Sequence, residues 1–251
     1  MTYHLYITLK NYSSWSMRLW VLMHACNIPF EETLIVFEEG VAVQKEFLKV
    51  SPTALVPCLH DLAQGGGGDD DGLVVWESLA IVEYLAEREP SAGIWPTDVA
   101  ARAFARSACA EVHAGFSALR SQMSMNIGLR VEIGVDEPGL PELRRDLARL
   151  DALWREGLGR FGGPWLAGRE FTAADAFYVP VATRLQTFMV KEGTGEGEMS
   201  AEGMAYAGRL LGHEASRAWI EDGLKETTRE RGHDEETVQG RRVVADYRAQ
   251  A

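Results

Sequence analysis

Three hydroxyl side chains, Ser13, Ser14 and Ser16, lie where a predicted strand ends and a predicted helix begins. A hydroxyl in such a turn is often only a helix N-cap, which accepts a hydrogen bond from a backbone amide. It can also donate to an anion, because the free amides and the dipole of a helix N-terminus favour negative charge. The segment therefore predicts either a plain helix cap or an anion site.

Two further polar segments stand at comparable junctions. Val56-Pro57 lies at the start of a predicted strand. We predict that its peptide bond is cis, which would leave the Val56 backbone free to pair with a peptide-like ligand. Glu77 and Ser78 lie where a strand meets a helix; they either begin that helix in the ordinary way or hold the ammonium and carboxylate of an amino acid. A ligand with an amino acid at one end and a nucleophile at the other, such as glutathione, would link these sites.

A fourth segment has a structural role. Thr172 and Asp175 have the spacing of a reciprocal N-terminal helix cap. We predict that they begin a helix and take no part in catalysis.

The elements that must position these residues are of two kinds. Over residues 1–90 the order strand-helix-strand-helix-strand-strand-helix predicts a small mixed sheet with helices on both faces, and residues 65–72 predict a loose hairpin loop. Over residues 97–227 the patterning is helical and no strand is expected. Residues 228–251 predict a charged tail that is frayed or loosely helical. The predicted helices of the second part cover residues 100–119, 142–159, 173–187, 204–211 and 215–227.

Composition excludes several classes of protein. With 251 residues, 46% hydrophobic, the chain is not wholly disordered, and its formal charge of -12 disfavours nucleic acid and anionic membranes as partners. No apolar run approaches the roughly 18 residues of a membrane span, and we expect no signal peptide. The cysteines, Cys26, Cys58 and Cys109, are few and odd in number, which favours buried thiols and a cytoplasmic protein. No His or Cys pair has zinc spacing, so no metal cofactor is expected.

In this order and spacing, the segments make the chain resemble the soluble glutathione transferases over about residues 3–225. The resemblance implies a thioredoxin-like α/β N-terminal domain, an all-helical C-terminal domain and, usually, a homodimer. The serine segment resembles that of the zeta-like and tau-like branches, whose active serine lies five residues before an arginine. That serine is Ser13 here, with Ser14 as its close rival, and we expect Ser14 or Ser16 to cap the helix. The implied glutathione contacts are Ser13, Ser14, Trp15, Arg18, Val56, Pro57, Glu77 and Ser78.

The implied chemistry is activation of the glutathione thiol, with glutathione as co-substrate and a small-molecule electrophile as partner. One serine hydrogen bond and the helix end supply enough free energy to lower the thiol pKa by about two units. Where the family often has a polar residue before Val-Pro, this chain has Leu55. The expected walls of the electrophile site are Trp15, Phe116, Met123, Met125, Arg184 and Phe188.

Three functions stay open on the sequence. The favoured one is a glutathione transferase that acts on small hydrophobic electrophiles. The second is a glutathione-dependent cis–trans isomerase of the maleylacetoacetate type. That branch holds a substrate carboxylate with an arginine whose aligned position is Thr187, so Arg184, one turn earlier, would substitute. The third is a non-catalytic ligand carrier or interaction module.

Overall fold

The N-terminal part is built on a four-stranded mixed sheet. The computed structural model describes residues 2–38, 44–65, 72–134, 137–190 and 199–249. The strands are β1 (Tyr3–Ile7), β2 (Phe30–Leu34), β3 (Cys58–Asp61) and β4 (Leu73–Val75), in the order β2-β1-β3-β4. β1 pairs parallel with β2 and antiparallel with β3, which confirms the predicted mixed sheet.

Three helices accompany this sheet: α1 (Ser14–Ala25), the single-turn α2 (Lys45–Leu48) and α3 (Ser78–Arg88). The sequence predicts two of these helices over residues 15–26 and 77–88, and α1 and α3 match those bounds to within one residue. β2 lies three residues earlier than the strand that the sequence predicts over residues 33–37. β3 begins only after Pro57, which has no N–H for a sheet hydrogen bond.

In the second part, the described residues form six successive helices before the C-terminal segment. They are α4 (Val99–Ala114), α5 (Ser117–Gln122), α6 (Leu140–Phe161), α7 (Ala173–Thr187), α8 (Ala201–Gly212) and α9 (Glu214–Lys225). The predicted helix over residues 100–119 is in fact two helices, because Phe116 takes up a left-handed conformation that an α-helix cannot contain.

Helix α7 is the centre of the molecule. Its residues are buried on nearly every side, and it packs against α1, α4 and α8. Its N-terminus bears the predicted cap. The backbone N–H of Thr172 donates to Asp175 at 2.9 Å, and Tyr206 and the backbone of Leu166 donate to the same carboxylate at 2.7 and 2.8 Å. The structural role predicted for Thr172 and Asp175 is confirmed.

Two expectations for the second part are wrong in detail. A second sheet is present there, with strands β5 (Leu129–Ile133), β6 (Phe188–Val190) and β7 (Arg242–Asp246) in the order β6-β5-β7, so this part is helical but not all-helical. The C-terminal residues, for which a frayed or a loosely helical tail is expected, are helical in part and also contribute a strand. They form helix α10 (Arg231–Val238) and then β7, which pairs antiparallel with β5.

Most of the predicted hairpin loop over residues 65–72 falls beyond the described ranges. Across the parts of the chain that are described, no helix is long and apolar enough to cross a membrane.

Candidate active site

A cavity of about 290 Å³ opens where the N-terminus of α1 meets the helical part. The turn before α3 does not reach it, but the turn before β3 does. The cavity also receives side chains from the segment after α5, from α7 and from α10. Its lining residues are Thr8, Leu9, Tyr12, Ser13, Ser14, Trp15, Phe37, Leu55, Val56, Arg120, Ser124, Met125, Arg184, Glu230, His233 and Glu236.

Ser13 is the N-cap of α1. Its Oγ accepts the backbone N–H of Ser16 at 3.2 Å and donates to the Ser16 hydroxyl at 2.8 Å. The expectation that Ser14 or Ser16 caps the helix is therefore wrong. The residue that precedes the helix, not one within its first turn, has the extended backbone that lets a side chain fold back onto the free amides.

Ser14 has a different partner. Its Oγ accepts a hydrogen bond of 3.2 Å from Nη2 of Arg184, which is 7% exposed. Arg184 is fixed in turn by the backbone carbonyls of Met123 and Pro180, at 2.7 and 3.1 Å. Because a guanidinium only donates, Ser14 must accept from it, and the Ser14 proton stays available for another acceptor.

Arg184 belongs to a group of three arginines that also includes Arg18 and Arg120. Burial, together with the charges of Arg18 and Arg120, lowers the pKa of Arg184 to about 9. Burial also lowers the pKa of Arg18 to about 10. Within the described residues, none of the three forms an ion pair with a carboxylate. Arg120 and Arg184 line the cavity, so the part of the wall that they form carries positive charge and favours anions.

Arg18 itself does not reach the cavity wall. It is 3% exposed, and its guanidinium lies 4.3 Å from the ring centroid of Trp15 and 4.9 Å from that of Phe177. Trp15 does line the cavity. Arg18 is thus placed to support Trp15 from behind, and any contact with a ligand in this cavity is indirect.

Val56 also lines the cavity. The Val56-Pro57 peptide bond is cis, as predicted. Across the described ranges, neither the N–H nor the C=O of Val56 has a hydrogen-bond partner, whereas Pro57 is buried behind it. Leu55, in the position where a polar residue was the family expectation, is 65% exposed and also lines the cavity.

Glu77 and Ser78 begin α3. Glu77 is the N-cap and accepts the N–H of Leu79 at 3.1 Å, and the Ser78 hydroxyl donates to Glu77 at the same distance. Neither side chain lines the cavity, but His113 connects them with it. The His113 ring lies 5.1 Å from that of Trp15, and its Nε2 is 3.6 Å from the Glu77 carboxylate.

The structure brings together only half of the expected electrophile walls. Trp15, Met125 and Arg184 line the cavity. Phe116, Met123 and Phe188 do not line it; they are core residues at 6% exposure or less, although Met125 is as deeply buried at 1%. Their apolar side chains fit a helical stripe equally well in a core and in a pocket, so the pattern could not separate the two cases.

Sequence reasoning missed the C-terminal wall of the cavity. Glu230, His233 and Glu236 lie at the start of α10 or on it, in the segment predicted to be a frayed or loosely helical tail. The available signal was Val243-Val244, an apolar pair within a charged stretch, which now lies in β7. Arg120 was also missed, since nothing local to its sequence places it beside Arg184.

Burial disfavours the thiolate form of all three cysteines. All are free; Cys58 and Cys109 are buried, as predicted, and Cys26 is half-buried. Burial raises the pKa of Cys26 and of Cys58 to about 11 and raises the pKa of Cys109 well above its ordinary value. Among the described side chains, no three His, Cys, Asp or Glu residues are grouped so that they could hold a metal ion.

This arrangement, a mixed sheet whose first helix N-terminus faces a helical second part, is the fold of the glutathione transferases. Residues 12–88 match the family model for the glutathione S-transferase N-terminal domain, and residues 131–222 match that for the C-terminal domain. Together the two models match more than half of the chain. The chain therefore belongs to the glutathione S-transferase family.

Individual proteins in this family are similar at low identity. A zeta-class glutathione S-transferase of Euphorbia esula is 27% identical, with 67% of this chain and 70% of that protein covered. The maleylacetoacetate isomerase of Rattus norvegicus is 23% identical, with 74% and 79% covered. The crystal structure of a glutathione transferase homologue from Burkholderia, with bound glutathione, superposes with a TM-score of 0.60 at 19% identity, covering 88% of this chain and 97% of that one. That structural likeness bears on the fold alone.

Proposed function

We propose that the protein is a glutathione transferase that activates the thiol of glutathione for attack on small electrophiles. The observation that carries the proposal is the cavity that joins the serines at the start of α1, the free backbone of Val56 and the buried Arg184. Family membership supports the same conclusion.

Ser14 is the proposed donor to the thiolate. A free thiol has a pKa near 8.5 and is only a few per cent thiolate at neutral pH. Lowering that pKa by about two units requires roughly 2.7 kcal/mol. A hydrogen bond to a charged group supplies about 1.5–3 kcal/mol, and the helix N-terminus adds about 0.3–1 kcal/mol. The unused proton of Ser14 supports this role, whereas the proton of Ser13 is already donated to Ser16.

The other proposed contacts are with the rest of the glutathione molecule. The Val56 backbone pairs with the cysteinyl unit, as an added strand would. Glu77 and Ser78 hold the amino acid end, and the short path from Trp15 through His113 to Glu77 supports one ligand spanning both sites. Arg18 and Pro57 act indirectly, by supporting Trp15 and Val56.

A second candidate function is glutathione-dependent cis–trans isomerisation of an anionic substrate. Arg120 and Arg184 favour it, because both line the cavity and neither has a described carboxylate partner. The similarity to a maleylacetoacetate isomerase points to the same chemistry. In such a reaction the thiolate adds to a double bond, the bond rotates, and the thiolate leaves.

A turnover panel with glutathione tests the proposal. The panel comprises an aryl halide, a peroxide, a disulfide and a maleyl compound. Conjugation of the aryl halide is the expected result, and isomerisation of the maleyl compound without consumption of glutathione supports the second candidate. Glutathione binding without any turnover would contradict both and would favour a non-catalytic carrier.

We also propose a homodimer and a cytoplasmic location. The usual assembly of the family supports the first, and the three free thiols, which suit a reducing compartment, support the second. A monomer mass by light scattering at micromolar concentration would contradict the dimer, and a secreted pool of the tagged chain would contradict the location.

A further inference from the structure

Helix α10 carries a carboxylate that does not line the cavity but contacts the loop that does. Oδ1 of Asp234 accepts hydrogen bonds from the Tyr12 hydroxyl at 3.1 Å and from Nδ2 of Asn126 at 2.8 Å. Nη1 of Arg248 donates to the same oxygen at 2.6 Å. One oxygen of Asp234 therefore joins the residue before Ser13, the segment after α5 and the chain after β7.

Asn126 extends this network to the residue before Tyr12. Asn126 is 1% exposed, and its Oδ1 accepts a hydrogen bond of 3.2 Å from the side-chain amide of Asn11. The hydroxyl of Thr187, at the end of α7, donates to the Asn126 carbonyl at 2.6 Å and fixes it in turn. Asn11 and Tyr12 are consecutive, so the loop before α1 is held at two successive residues.

The contact with Asp234 also determines what the Tyr12 hydroxyl can do. The phenol is 5% exposed and donates its proton to the carboxylate. Burial, together with the negative charge of Asp234, raises the pKa of Tyr12 above its ordinary value of 10. Tyr12 and Ser13 thus donate their hydroxyl protons within the protein, whereas Ser14 retains its proton for a ligand.

We propose that Asp234 is a positioning residue for thiol activation, which acts through Tyr12 on the place of the two serines at the start of α1. The inference rests on the proposed glutathione transferase function and adds a residue to its machinery. Asp234 lies beyond the stretch that matches the family models, which ends at residue 222. Because Asp234 does not line the cavity, it acts on the thiol through the loop or through its charge.

These two effects of Asp234 on the thiol have opposite signs. Its negative charge disfavours a thiolate nearby, although the ion pair with Arg248 offsets part of that charge. The fixed loop favours the thiolate, because it keeps the Ser14 hydroxyl in place. Asp234→Ala removes both effects, whereas Asp234→Asn removes the charge and keeps the accepting oxygen. Oδ2 of Asp234 has no hydrogen-bond partner in the described part of the chain, so the amide nitrogen of asparagine displaces no contact there.

The pKa of the bound glutathione thiol is the readout that separates positioning from stability. It is measured from the pH dependence of kcat/KM for chlorodinitrobenzene. In Asp234→Ala we expect this pKa to rise by about one unit and kcat/KM near pH 6.5 to fall about tenfold, since a misplacement of about 1 Å can cost about 100-fold. Above the raised pKa both enzymes hold the thiolate, so kcat/KM there should approach the wild-type value. In Asp234→Asn the thiol pKa should not rise.

Asp246→Ala is the matched control. Arg248 is held by both carboxylates, with Nη2 at 2.8 Å from Asp246, but Asp246 has no described contact with Tyr12 or Asn126. This variant weakens the same anchor without freeing the loop, and the thiol pKa should stay at the wild-type value. Tyr12→Phe keeps the ring, removes the hydroxyl and should raise the thiol pKa. Asp234→Ala added to it should then raise the pKa by less than it does in the wild type.

The outcomes distinguish the positioning role from the transferase function. A thiol pKa unaltered in Asp234→Ala, a loss of kcat/KM by the same factor at every pH, or an equal rise of the pKa in Asp246→Ala overturns the role of Asp234 and leaves the transferase standing. If Asp234→Ala does not fold, an unaltered thiol pKa in Tyr12→Phe overturns the role instead. If the wild type does not conjugate chlorodinitrobenzene or any other electrophile of the panel, the transferase proposal fails, and the role of Asp234 fails with it.

Discussion

Adjacent serines at the start of α1 use their hydroxyl protons differently. The proton of Ser13 goes to Ser16, and its lone pairs cap the helix. Ser14 accepts from Arg184 and keeps its proton for a ligand. Spacing to Arg18 favours Ser13 on the sequence, but the hydrogen bonds around the two hydroxyls favour Ser14.

We expect Ser14→Ala to lower kcat/KM for an aryl halide by about 10- to 150-fold, the equivalent of one charge-assisted hydrogen bond. The pKa of the bound glutathione thiol, measured from the pH dependence of kcat/KM, should move toward 8.5. Ser13→Ala is the matched variant. It should cost about 0.5–2 kcal/mol of stability through loss of the cap, and it should move the thiol pKa less.

The opposite pattern, with a raised thiol pKa in Ser13→Ala alone, would make Ser13 the donor, as the sequence spacing predicts. If neither variant moves the thiol pKa, the helix N-terminus alone stabilises the thiolate.

At the scale of elements, α9 and the residues after it hold the loop that carries the serines. The carboxylate of Glu226 accepts the backbone N–H groups of Lys10 and Asn11, at 2.7 and 3.0 Å. Trp219 donates to the Lys10 carbonyl at 3.0 Å. Gly223 permits this approach, because a Cβ there would lie only 3.2 Å from the Asn11 nitrogen.

We expect Glu226→Gln to destabilise the fold by about 1–3 kcal/mol, because its amide group would face one of the two N–H donors and leave that donor unpaired. kcat/KM should fall as well, since the loop leads into Ser13 and Ser14. Glu221→Gln, an exposed position of α9, the helix that precedes Glu226, is the control. Chemical denaturation measures the free energy of unfolding, and equal values for the two variants would show that the carboxylate does not hold the loop.

Some helices and strands are predictable from the local sequence alone, and others are not. α1 and α7 were predictable because turn residues and caps mark their ends. β5 alternates apolar and polar residues and was within reach, whereas β6 and β7 are strands only because β5 lies beside them. The residues of the candidate site also divide into those that local sequence predicts and those that it does not. Ser13, Ser14 and Val56 belong to local motifs, but Arg120, Arg184 and His233 meet only through tertiary packing.

At the scale of the whole molecule, half-buried histidines couple folding to pH. Burial is the main cause that lowers the pKa of His24, His113 and His213 below the ordinary value of 6.5. Between the lowered pKa and 6.5, the unfolded chain binds more protons than the folded one. The free energy of unfolding must then decrease as the pH falls through about 6.5.

Repulsion among the negative charges makes the free energy of unfolding change with pH in the opposite direction. The formal charge of -12 makes the folded chain repel itself, and acidification relieves some of that repulsion. At about 0.15 M salt the screening length is about 8 Å, so this long-range term is weak compared with the desolvation of individual imidazoles. Burial also raises the pKa of Asp175 and of Glu226, and these two carboxyl groups act against the histidines. Because the other carboxylates titrate at lower pH, we expect the three histidines to determine the sign of the pH dependence between pH 7.5 and 5.5.

We accordingly expect the melting temperature at this salt concentration to fall as the pH is lowered from about 7.5 to 5.5. His24→Phe removes one of the three groups while retaining an aromatic ring against Trp20, which lies 3.8 Å from the imidazole, and against Phe30 at 5.0 Å. The fall should be smaller in this variant than in the wild type. Thermal unfolding followed by circular dichroism gives the change of melting temperature with pH in both proteins. A melting temperature that rises on acidification would mean that the opposing effects outweigh the histidines. An equal change of melting temperature with pH in the two proteins would show that His24 does not contribute to the pH dependence.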